Sequence, residues 1–139
     1  MPGYSGTPLP KKLGFKPGCR VALFSVAQDV REELANAIAD AELVKKGPID
    51  LVLVATKSSA ELRRQTPVWK KQLASNGALW ILWPKKTSGM ASDLDENKVR
   101  AFALSIGLVD VKVCAVSEVW SGLKFVIRVK DREKVPSES

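Results

Sequence analysis

A chain of 139 residues, 45% of them hydrophobic, fits one globular domain that buries about 70% of the surface its unfolded form would expose. Its formal charge of +7 favours polyanionic partners, although such an excess also keeps an ordinary soluble protein from associating with itself. Histidine is absent and only Cys19 and Cys114 carry thiols, so Ser-His-Asp and Cys-His catalysis are excluded and a zinc site would need carboxylate ligands.

The first stretch carries Pro2, Pro8, Pro10 and Pro17 among Gly3, Gly6, Gly14 and Gly18, and reads as an arm over residues 1–18 with at most one helical turn near Leu9 to Leu13. Lys11, Lys12 and Lys16 make it basic. It lacks the apolar core of a secretory signal, and no apolar run approaches the roughly 18–20 residues of a membrane span. A cytoplasmic protein without a membrane partner is therefore expected, with one ordered domain over residues 19–130 and a polar tail over 131–139.

"CRVALFSV" is the first strand, Cys19 to Val26, and both thiols fall inside such apolar runs, where a cysteine behaves as a small hydrophobe. Val30, Leu34, Ile38 and Ala41 then recur at helical spacing and give a helix over 29–40. "ELVKKG" adds a short edge strand. "IDLVLVAT" is apolar on both faces, as a central parallel strand beneath helices on each side must be.

Ser58 and Glu61 stand at capping-box spacing and open the next helix. Pro67 is expected to break it, with Thr66 capping a second helix that ends near Asn76 and Gly77. "ALWILW", Ala78 to Trp83, is a core strand that buries Trp80 and Trp83. Asp93 and Glu96 repeat the capping spacing ahead of a helix marked by Val99, Phe102, Ala103 and Ile106 and closed by Gly107. Val109, Val111, Val113 and Ala115 share one side of a strand, and Leu123, Phe125, Ile127 and Val129 one side of the next, so the chain closes with an antiparallel hairpin. The fold class is α/β: a three-layer, Rossmann-like, mostly parallel sheet with a C-terminal antiparallel β-hairpin.

Ligands of open α/β sheets bind outside the carboxyl ends of the parallel strands. Four loops are expected there. Ser25 and Gln28 follow the first strand, Thr56, Lys57 and Ser58 the central one, and Lys85, Lys86, Thr87, Ser88 and Gly89 follow "LWILWP". With the sixth strand taken as parallel, its turn, carrying Glu118, Trp120, Ser121 and Gly122, emerges on the same edge. Two lysines, two hydroxyls and a glycine suit an anion, yet the same residues also serve simply to solvate a strand end. Glu118 is read as a salt-bridge partner of Lys85 or Lys86 or as a proton-transfer group, and Trp120 as a stacking surface or a cap on the sheet. Asp93, Asp95 and Glu96 sit at a helix start, where acids favour the dipole, and are not assigned to a metal. Lys112, Lys124, Arg128 and Lys130 form a basic hairpin face to which the arm adds Lys11, Lys12 and Lys16, a pattern that suits nucleic-acid phosphates and equally a solvated face.

The segments "YSGTPLPKKLGFKPG", "LWILWPKKTSG" and "GLVDVKVCAVSEVWSGLKFVIR" resemble, over nearly the whole chain, a bacterial family classed only as a domain of unknown function. The order of elements, with a basic arm ending in "LGFKPG" and a terminal hairpin, is similar to the class I, Rossmann-like S-adenosylmethionine-dependent methyltransferases. In those enzymes a G-x-G-x-G loop follows strand one and an acid ending strand two binds the ribose. Here the matching loop is "FSVAQDV", no glycine occurs between Gly18 and Gly47, and the presumed second strand ends in Lys45 and Lys46. The resemblance thus implies the fold without the usual pose of the cofactor, and no cofactor is assigned. The expected function is a non-catalytic binding or regulatory module for a small anionic or nucleotide-like ligand at the carboxyl edge. A divergent transferase is the alternative, and a nucleic-acid-binding accessory protein the second. No catalytic residue is assigned, and the oligomeric state is left open.

Overall fold

The computed structural model describes residues 7–129, so the expectations for Lys130, for the tail and for the first six residues of the arm lie outside the described residues. Among the described residues five α-helices and six strands follow in chain order: α1 (Leu9–Leu13), β1 (Arg20–Phe24), α2 (Gln28–Glu33), α3 (Ala35–Asp40), β2 (Glu42–Leu43), β3 (Ile49–Ala55), α4 (Ser59–Gln72), β4 (Leu73–Pro84), α5 (Glu96–Ser105), β5 (Leu108–Ala115) and β6 (Trp120–Ile127). One sheet in the order β2-β1-β3-β4-β6-β5 holds all six strands. The first four are parallel, and β6 is antiparallel to both β4 and β5. Among the described residues no helix is long and apolar enough to cross a membrane.

The sheet is packed on both faces. On one, Val52, Val54, Leu79, Ile81, Trp83, Leu123 and Phe125 meet Leu62 of α4 and Val99 and Ala103 of α5. On the other, Val21, Leu51, Leu53, Trp80, Leu82 and Trp120 meet Leu9 and Leu13 of α1 and Val30 and Leu34 beside α2. Ordered structure therefore begins before β1, because α1 buries its two leucines against the sheet and Trp80 Nε1 donates to the Leu13 carbonyl at 2.9 Å.

Several local expectations are corrected. The helix expected over 29–40 is two short ones, interrupted at Leu34 (φ −98°, ψ 4°), which is fully buried and pins the bend to the sheet. Helix α4 runs unbroken through Pro67. Its start is held by Ser58, which accepts from Glu61 N, and by Asp93, which accepts from Ser59 N at 2.8 Å. Thr66, expected as a cap, is instead fully buried, with its hydroxyl unpaired among the described residues. Asp93 is thus not the cap of α5. That role falls to Asp95, which accepts from Lys98 N at 2.8 Å.

Helix α4 also stops earlier than expected, at Gln72, and β4 takes in Asn76 and Gly77. Gly77 is needed there for close approach rather than for a turn, since a Cβ would lie 2.8 Å from the Ile49 carbonyl. In the hairpin, a bulge between Asp110 and Lys112 resets the alternation of β5. Val109 consequently pairs with Val126 and leaves the expected face, Lys112 and Cys114 pair with Lys124 and Gly122, and Val113 keeps the face of its partner Leu123; Val111 and Val113, expected inward, are about half exposed on this edge strand. Leu123, Phe125 and Ile127 are buried as the alternation requires, but Val129 is exposed. Arg128 also leaves the expected basic face, donating to the Leu104 carbonyl of α5.

Candidate functional site

The strand order reverses between β1 and β3: the chain leaves β1 for β2 on one side and crosses back to β3 on the other. Adjacent connections that diverge in this way leave a crevice at the carboxyl ends of the strands. A cavity of about 480 Å³ opens there, lined by Ser25, Asp29, Lys57, Glu61, Met90 and Trp120, with Ala27, Ala55 and Val119 completing the wall. No described residue of the arm lines it.

Each lining group is placed by a local event. Ser25 ends β1 in the left-handed region at φ 57°, the single non-glycine residue to do so among the described residues, and turns the chain sharply into α2. That conformation costs a side-chain-bearing residue about 1 kcal/mol or more. Asp29 and Glu61 occupy the first turns of α2 and α4, the helices that follow β1 and β3. Glu61 Oε1 also accepts from Lys57 N at 3.2 Å, which stiffens the loop between β3 and α4. Thr56, between Ala55 and Lys57, is buried with its hydroxyl unpaired among the described residues. Two carboxylates and one ammonium give the cavity a mixed, slightly acidic character. It suits a ligand that offers hydroxyl or amino hydrogens, with the Trp120 indole as one apolar wall.

The expected site residues divide. Trp120 lines the cavity, although only 4% of it is exposed, because it is also part of the core beside Trp80 and Val116. Lys85, Lys86, Thr87, Ser88, Gly89, Glu118 and Ser121 do not line it. The loop they begin is a 3-10 turn over Lys86–Ser88 closed by Gly89 at φ 79°. The Ser88 hydroxyl is used inside the turn: Oγ donates to the Lys85 carbonyl and accepts from Met90 N. The loop nevertheless flanks the cavity at both ends, since Lys85 N donates to the carbonyl of Val119 at 2.7 Å and Met90 lines the wall. Glu118 forms no ion pair with Lys85 or Lys86 among the described residues, which corrects the expected salt bridge.

The hairpin turn does reach this edge, for a corrected reason. It is β5 that shares the direction of β4, while β6 runs back, pairing Pro84 with Trp120 and Trp83 with Ser121. Asp93, Asp95 and Glu96 are engaged separately, by Ser59 N, Lys98 N and Arg100. Asp29 and Glu61 were the residues that the motifs did not single out for the site. Their signal was positional: each is an acid in the first turn of a helix that follows a parallel strand.

Solved structures of similar shape include several methyltransferases. A SAM-dependent methyltransferase from Aquifex aeolicus superposes with a TM-score of 0.59 at 15% identity, covering 86% of this chain and 88% of that one. A TehB-like SAM-dependent methyltransferase from Corynebacterium glutamicum gives 0.55 at 10% identity, over 86% and 85%. The m1A22 tRNA methyltransferase TrmK of Bacillus subtilis gives 0.52 at 10% identity, over 90% and 67%. At such identities the likeness is one of fold. No curated protein matches the chain significantly. A family model does, over residues 10–129, and the chain belongs to that family, described as Protein of unknown function (DUF3052), with a methyltransferase-like Rossmann fold.

Proposed function

We propose that the protein is a non-catalytic binding or regulatory module that holds a nucleoside-like ligand in the cavity between the carboxyl ends of β1 and β3. The observation that carries this reading is the cavity's place at the reversal of strand order together with its lining. Asp29 and Glu61 accept hydrogen bonds from ligand hydroxyl or amino groups, Lys57 balances one of the charges, and Trp120 offers a ring face. An anionic part of such a ligand extends along the flanking loop, toward Lys85 and Lys86. Against ordinary methyl transfer stand the glycine-free loop after β1 and an edge strand β2 that is followed by Lys45 and Lys46 in place of an acid.

One observation favours a divergent transferase as the second reading. Ser25 keeps a left-handed conformation, which glycine adopts most easily, in the loop where the methyltransferases carry their glycines. Thermal-shift measurements with S-adenosylmethionine, adenosine nucleotides and inorganic phosphate separate the two. The binding module is expected to be stabilised by a nucleoside or nucleotide with no methyl acceptor present. Stabilisation by S-adenosylmethionine alone overturns it in favour of the transferase.

A further inference from the structure

Independently of the carboxyl edge, the structure gathers lysines from opposite ends of the chain onto one face of the hairpin. Lys112 of β5 and Lys124 of β6 are direct cross-strand partners, an arrangement in which like charges repel. Lys124 and Lys16 line a second cavity of about 480 Å³ at the amino edge of the sheet, with Gly14, Gly18, Asp50 and Asn76. The one carboxylate in that lining is engaged, since Asp50 Oδ2 accepts from Arg20 N at 2.9 Å. Lys12 joins the same region: burial raises the pKa of the Cys114 thiol, and Lys12 and Lys112 both oppose it, so both ammonium groups are within electrostatic range of one sulfur. Among the described residues none of Lys16, Lys112 and Lys124 forms an ion pair.

Uncompensated like charges that face each other across a strand pair raise the energy of the free protein and are relieved by a polyanion. We propose that the face formed by Lys12, Lys16, Lys112 and Lys124 binds the phosphate backbone of nucleic acid without reading its sequence. Lysines act as point charges on phosphates, and the patch contains no side-chain array that distinguishes bases. A bilayer surface fits less well, because the apolar side of α1 is spent in the core: Leu9 and Leu13 are buried and have nothing to insert among acyl chains.

The test is fluorescence anisotropy of a labelled random-sequence DNA duplex across a salt series, with anionic phospholipid vesicles in a parallel arm. Four lysines that each neutralise one phosphate give a log-log salt slope of about −3.6, or roughly 150-fold weaker binding between about 50 and 200 mM salt. The double variant Lys16→Glu/Lys112→Glu, at two exposed positions, is expected to reduce that slope by about half. The variant Arg64→Glu/Lys71→Glu makes the same change in net charge at exposed positions of α4, on the opposite face of the sheet, and is expected to leave the slope unchanged. If the glutamates perturb folding, Lys16→Gln/Lys112→Gln gives the same reading with smaller charge changes. Absence of duplex binding at the lowest salt, equal weakening by Arg64→Glu/Lys71→Glu, or binding to vesicles but not to duplex each overturns the proposal.

Discussion

The indole Nε1 of Trp80, at the centre of β4, donates to the carbonyl oxygen of Leu13, 67 residues earlier in the chain, at 2.9 Å in a fully buried setting. This bond ties α1 to the middle of the sheet. Trp80→Phe keeps most of the ring's packing and removes the donor, leaving a buried acceptor without its partner, which costs about 1–3 kcal/mol. Urea unfolding is expected to show that loss, and limited proteolysis faster cleavage within residues 14–18. Unchanged stability and unchanged cleavage would mean that the arm is held by its leucines alone.

Gly122 lies over the same indole. A Cβ at this position would sit 2.8 Å from Val116 Cγ2 and 3.1 Å from Trp80 Cε3. Gly122→Ala is therefore expected to destabilise by about 1–3 kcal/mol, as overpacked cores do. The thermal midpoint measures it, and an unchanged midpoint would show that the hairpin turn gives way easily.

Ser25 holds a positive φ with an exposed side chain. Glycine removes the steric penalty of that conformation but adds freedom to the unfolded chain, so Ser25→Gly is expected to be neutral or stabilising by up to about 1 kcal/mol. Ser25→Val is expected to destabilise by more than that, since β-branched residues tolerate the left-handed region poorly. Chemical denaturation of the pair compares them directly, and equal stability would remove the strain assigned to this turn.

Cys114 reports on the lysine face. Burial raises its pKa, and the cations Lys12 and Lys112 lower it. Lys112→Gln removes one favourable charge from the thiolate, so the pKa moves further up and less thiolate is present at any given pH. Alkylation of Cys114 at mildly alkaline pH is expected to slow. A rate that is unchanged or faster would place Lys112 outside electrostatic range of the sulfur.

The strands and their succession along the chain were legible from continuous apolar runs such as "IDLVLVAT" and "LWILW", although the direction of the sixth strand was not. Resemblance of the quoted segments supplied the family and the methyltransferase-like fold. What local reading missed was set by contacts between distant residues. Gly77 looked like a helix stop, but its requirement comes from the Ile49 carbonyl across β3. Pro67 looked like a break, yet buried Leu62 and Thr66 and the two caps from Ser58 and Asp93 keep α4 continuous. One extra residue at the β5 bulge put Val109 across from Val126 instead of on the face of Leu123, while Val113 keeps the face of its partner Leu123 and is half exposed on the edge strand. The edge on which a site would lie followed from topology alone. Its lining did not, because the hydroxyl of Ser88 was already committed within its own turn and because Asp29 and Glu61 read only as ordinary acids at helix starts.

Backbone amide NMR during titration with adenosine, adenosine nucleotides, S-adenosylmethionine and inorganic phosphate tests the carboxyl-edge site most directly. The expected result is that adenosine or one of its nucleotides shifts the amides of Ser25, Lys57, Glu61 and Trp120 in a saturable way, and that Lys57→Glu weakens the effect. Shifts confined to other surfaces, or none with any member of the series, would contradict a nucleoside-like ligand between β1 and β3.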